Sequence, residues 1–151
     1  MEEKKFEGTL RWLGTPLNPA DSASYERVTE VRFATGSYHA SAATSYGGDD
    51  ALPNPETLMI ASLMQCHFLT FMAIAHKRGY AVRSYADRAE GLLGAGDDKK
   101  MRMLSVQLHP EVLFVDPAHA EHLPMLHQRS HANCFMANSV NFPVTVAGAA
   151  H

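Results

Sequence analysis

The sequence predicts an α+β fold in one domain spanning 1–151. Three observations carry that expectation. A single long apolar segment, "NPETLMIASLMQCHFLTFMAIAHKRG" from Asn54 to Gly79, reads as a helix. Runs of alternating character bounded by turn residues lie on both sides of it and read as strands. Strands, then a helix, then strands again, without a regular βαβ alternation, is the pattern of α+β proteins. A chain of 151 residues, 46% hydrophobic and 19% charged, is long enough to bury one sizeable core.

Taken in order, Phe6–Leu13 alternates weakly around Trp12 and predicts a strand. "GTPLNPADSA" is a loop. "YERVTEVRF" predicts a strand with Tyr25, Arg27, Thr29, Val31 and Phe33 on one face, and "GSYHASAAT" its hairpin partner after a turn near Gly36. "SYGGDDALPNP" is a second loop. The helix then opens with Asn54 as cap, Pro55 at the first helical position and Glu56 in the first turn. It closes with His76, Lys77 and Arg78, then Gly79. Its length is about 24 residues, or roughly 36 Å. Apolar residues cover nearly every face, so the helix should be buried all round. A chain of this size has difficulty enclosing it, which points to a partner chain.

Beyond the helix, "YAVRSYADRAEGLLGAG" and "KKMRMLSVQLHPEVLFVD" predict two strands joined as an antiparallel hairpin by the loop Gly94–Lys100. Asp116-Pro117 should start a second helix, near Ala118–Ser130. "HANCFMANSV" reads as a short third helix or a continuation, and "FPVTVAG" as a closing strand.

Charge and composition narrow the function classes. A net charge of −3 provides no basic stripe for nucleic acid. Thr57–Ala75 is long enough to span a bilayer, but Ser62, Gln65, His67 and Thr70 would be costly in lipid. The charged start "MEEKKFEGTLRW" lacks the apolar core of a signal peptide, so a cytoplasmic location without membrane contact is expected. Two cysteines, Cys66 and Cys134, then suggest reduced thiols, metal binding or redox chemistry rather than a disulfide scaffold.

A buried Cys66 can serve as a small hydrophobe. To react, it needs a thiolate and a nearby positive charge. The dipole of its own helix has faded by that depth. His67 points about 100° away. Glu56 lies about 15 Å up the helix and is adequately explained as a first-turn acid. Any cooperation between Glu56 and Cys66 needs a bridging arginine or a second chain. His127, His131 and Cys134 fall at i, i+4 and i+7, one face of a continuous helix, and could hold zinc.

The segment "NPETLMIASLMQCHFLTFMAIAHKRG" resembles the central helix of the OsmC/Ohr family, the osmotically inducible and organic-hydroperoxide-resistance proteins. An Asn-Pro-Glu start followed by a cysteine ten residues after the glutamate is typical of it. "SHANCFMANSVNFPVTV" is similar to the family's second-cysteine segment, and "FEGTLRWLG" and "YADRAEGLL" to its first strand and its post-helix strand. The resemblance runs from Phe6 to Val146. It implies an intertwined homodimer in which antiparallel sheets wrap long central helices, with active sites at the interface. It also implies reduction of organic hydroperoxides to alcohols, with Cys66 peroxidatic, Cys134 resolving, and Glu56 partner to a catalytic arginine. Arg27 falls nearest that arginine's place, with Arg32 as the alternative. The resemblance implies no bound cofactor; an external dithiol, of the lipoyl type in the family, would return the disulfide to thiols. Two other readings stay open: a non-enzymatic dimeric stress protein binding a small ligand, and the zinc site.

Overall fold

The computed structural model describes residues 3–15 and 25–150. The chain divides into two compact units, Met1–Leu58 and Met59–His151.

The first unit contains one antiparallel sheet, ordered β1 (Thr9–Trp12), β2 (Thr29–Phe33) and β3 (Gly36–Ala40). Phe33 pairs with Gly36, so Ala34 and Thr35 form the tight turn expected near Gly36. Tyr25 and Arg27 precede β2 instead of lying on it, which corrects the expected strand face. The loop segment 16–24 lies outside the described residues. Ala40 and Ser41 alone among this unit's described residues are buried, while Phe6, Leu10, Trp12 and Phe33 are exposed.

The long helix, α1 (Pro55–Lys77), is capped reciprocally. Thr57 N–H donates to Asn54 Oδ1 at 2.9 Å and Asn54 N–H to Thr57 Oγ1 at 3.0 Å, a capping box with threonine in place of the usual acid. At the far end Gly79 takes φ +75°, and Tyr80 N–H to Ala75 O and Gly79 N–H to His76 O complete a Schellman turn. Leu63, His67, Phe71 and Ala75, every fourth residue, form the helix's buried stripe. Of its most apolar window only 22% is buried, so the all-round burial expected from the pattern is not reached within one chain. Among the described residues this is the one helix long and apolar enough to cross a membrane.

The expected hairpin forms, but it is bent into two pairs. β4 (Val82–Asp87) pairs with β7 (Pro110–Phe114), while β5 (Glu90–Ala95) pairs with β6 (Met101–Leu108) in a separate sheet. Each arm thus breaks once, at Arg88–Ala89 and at His109. Pro110 has no N–H for the ladder, and His109 N–H donates instead to Asp87 Oδ1 at 2.9 Å. β8 (Val144–Val146) joins β6 in parallel, Val106 opposite Val144.

The bend gives α1 two cores. Leu63 packs with Met103, Val106, Leu108 and Val144; Phe71 and Ala75 pack with Val112, Phe114 and Leu126. The second helix starts later than expected. Asp116 Oδ1 caps Ala118 N–H at 2.9 Å over a 3₁₀ turn, Pro117–His122, and α2 follows at Leu123–Ala132. Pro124 explains the restart, since it lacks an N–H and suits a first helical turn. The expected third helix is only a 3₁₀ turn, Ala137–Ser139.

Candidate active site

Cys66 lies midway along α1, with Thr70 Oγ1–H donating to its carbonyl at 2.9 Å, and is partly exposed. Cys134 lies just past the end of α2 and is buried. Both are free thiols, and the fold brings them together at the turn after α2. Burial foremost, opposed by the Ala137 N–H and reinforced by the neighbouring Cys66 sulfur, pushes the Cys134 thiol up to about 11. Cys134 therefore keeps its proton at neutral pH. The turn after α2 aims two backbone N–H groups at the sulfurs. Met136 N–H lies 3.5 Å from Cys66 Sγ, and Ala137 N–H lies 3.4 Å from Cys134 Sγ. An anion on Cys66 would thus have the Met136 N–H as a backbone donor, with the protonated Cys134 thiol nearby. Phe135 and Met136 project into solvent beside the pair.

Behind Cys66, His67 is fully buried, and its Nε2 lies 3.2 Å from His127 Nδ1. Burial holds both imidazoles at about 4, with His127 and His131 adding a smaller repulsion at His67. Both are neutral at physiological pH. His67 Nδ1 is buried without a partner. Nε2–H of His67 donating to His127 is the tautomer that leaves a bare acceptor there rather than a stranded N–H. The spacing argument missed this pair, although a signal was present: His67 falls on the stripe Leu63–Phe71–Ala75 and must be buried.

The zinc reading fails on geometry. α2 ends at Ala132, so Cys134 does not continue the face of His127 and His131. Among the described residues no three His, Cys, Asp or Glu side chains converge as a metal would require.

Arg27 belongs to the first unit, where its Nη1 donates to Tyr25 O at 3.1 Å and Gly47 O at 3.2 Å, over the Tyr25 ring at 4.2 Å. Arg32 sits on β2 and grips Glu30 with two bonds, 2.8 and 3.1 Å. Glu56, in the first turn of α1, makes no ion pair among the described residues.

The sequence profile of the OsmC-like protein family matches residues 47–147. The chain belongs to the OsmC/Ohr family. An OsmC-like protein of unknown function from Vibrio cholerae is 30% identical, superposes with a TM-score of 0.88, and the match covers 95% of this chain and 98% of that one. An organic hydroperoxide resistance protein from Elizabethkingia anophelis shares 18% identity, with a TM-score of 0.71 and 96% of each chain covered. The organic hydroperoxide resistance protein OhrB of Bacillus subtilis shares 15%, with a TM-score of 0.66, over 95% of this chain and 96% of that one. At such identities the last two attest the OsmC/Ohr fold alone. A search of curated proteins finds no significant match. The α+β architecture expected from the sequence is the family's fold.

Proposed function

We propose that this protein is a thiol peroxidase that reduces organic hydroperoxides to alcohols in the cytoplasm. The observation that carries the reading is the meeting of a partly exposed Cys66 with a buried, protonated Cys134. The Cys66 thiolate attacks the distal peroxide oxygen; the O–O bond breaks, and the departing alkoxide takes a proton to become the alcohol. Cys66 is left as a sulfenic acid. Cys134 condenses with it, forming the disulfide and releasing water. An external dithiol, of the lipoyl type, then reduces the disulfide by exchange and is itself oxidised. Apolar side chains by the thiols, among them Phe135, favour bulky organic peroxides over hydrogen peroxide.

The working unit is a homodimer. Support comes from the exposed apolar faces of the first unit's sheet and of α1, where Leu69 remains 56% accessible. In that dimer Arg27 supplies the cation that holds the Cys66 thiolate, and Glu56 orients the guanidinium.

One equivalent of cumene hydroperoxide added to reduced protein should consume both thiols within seconds and yield a Cys66–Cys134 link by mass. Cys66→Ser should abolish turnover, and Cys134→Ser should accumulate a sulfenic acid that dimedone traps. Two thiols surviving the peroxide would overturn the reading and favour a ligand-binding role.

A further inference from the structure

The last turns of the two helices converge on a second concavity that the thiol chemistry does not use. It is a pocket of about 390 Å³ lined by Ile74, Lys77 and Arg78 at the end of α1 and by Arg129 and Asn133 at the end of α2. Three cations face it and no acid lines it. Among the described residues none of the three takes part in an ion pair.

Cations in a last helical turn often serve only the helix dipole. Here several terminal carbonyls already have other donors. Ala75 O and His76 O accept from Tyr80 and Gly79 N–H, Arg129 O from Asn133 N–H and Nδ2–H, and His131 O from Cys134 N–H. Among the described residues the Lys77, Arg78 and Arg129 heads make no hydrogen bond to those carbonyls. Three like charges lining one hollow repel one another, and an anion between them would relieve that repulsion. That repulsion is conspicuous in a chain whose net charge is −3.

We infer that this pocket binds a phosphate monoester of a small organic molecule. Two guanidinium forks match phosphate oxygens two at a time, and the ammonium adds a point charge. Three positive charges suit the roughly −2 charge of a monoester better than a single carboxylate. Ile74 offers the organic body an apolar wall and Asn133 an amide. Because Asn133 immediately precedes Cys134, an occupant also touches the chain segment that holds the buried thiol. The inference does not rest on the peroxidase reading.

The test is calorimetric titration of the full-length reduced protein with phenyl phosphate, inorganic phosphate and benzoate. Phenyl phosphate should bind best. Arg129→Glu and Arg78→Glu should each weaken it at least tenfold, and Arg129→Lys less. Arg83→Glu, which makes the same charge change on β4 outside the pocket, should change it less than twofold; melting curves verify that each variant is folded. Equal loss in Arg83→Glu would reduce the effect to general charge and overturn the site. Benzoate binding as tightly as phenyl phosphate would overturn the assignment to phosphate, and inorganic phosphate binding as tightly would overturn the organic body. Binding of poly-glutamate without binding of phenyl phosphate would replace the small ligand by an acidic polypeptide.

Discussion

Acidification should destabilise this protein through the His67–His127 pair. Both imidazoles are almost fully buried and are held at about 4 in the folded state, chiefly by desolvation. In the unfolded chain each returns to about 6.5. Across that interval the unfolded chain binds more protons than the folded one, so stability falls as pH falls. The contribution is complete above about pH 6.5, declines through the window, and is exhausted below about pH 4. At pH 5 each histidine accounts for about 2 kcal/mol of loss relative to pH 7, and the pair for about 4. That is a large part of the 5–15 kcal/mol typical of a domain. Urea unfolding at pH 7 and pH 5, at one fixed protein concentration so that association does not confound the comparison, measures the loss. The double substitution His67→Leu, His127→Leu should flatten the dependence. Imidazole NMR resonances provide a check that survives poor folding of the variant: both rings should stay neutral at pH 5. Protonation of either ring near pH 6.5 would sink the argument.

Further outcomes follow from single contacts. Asn54→Ala removes the acceptor for Thr57 N–H and should cost about 1 kcal/mol of unfolding free energy in urea. Leu63→Ala empties a fully buried position between α1 and the β5–β6–β8 sheet and should cost about 3 kcal/mol. Arg27→Met should lower hydroperoxide turnover by at least a hundredfold while Arg32→Met, whose guanidinium is held by Glu30, should keep most of it; single-turnover kinetics separates the two. The reverse ranking would transfer the catalytic role from Arg27 to Arg32.

The helix ends were legible because capping is local chemistry. Asn54, Pro55 and Gly79 each satisfy or avoid backbone groups within one turn, and α1 starts and stops where they say. The strand break at Arg88–Ala89 was not legible, and the one at His109 left only Pro110 as a local trace. The bond from His109 N–H to Asp87 on the opposite arm is a contact that no window of sequence contains. Extending the His127–His131 face to Cys134 failed for a related reason. It assumed one continuous helix, whereas α2 stops at Ala132 and turns, and that turn delivers the Met136 and Ala137 N–H groups to the two sulfurs. The strand expected through Arg27 was shorter than its alternation suggested, since tertiary pairing with β1 and β3 begins at Thr29.

By itself the sequence determined the α+β class, the capped central helix, the two cysteines and the family likeness they carry. These are encoded in residues close together along the chain or in residue identity alone. Only the tertiary structure decided that Cys66 and Cys134 are neighbours, that His67 meets His127, and that three cations from two helix ends share one pocket. Each of those meetings joins segments remote in sequence. Their proximity is set by how α1 packs against α2 and the bent hairpin, which burial of the shared apolar stripe dictates and no local preference encodes.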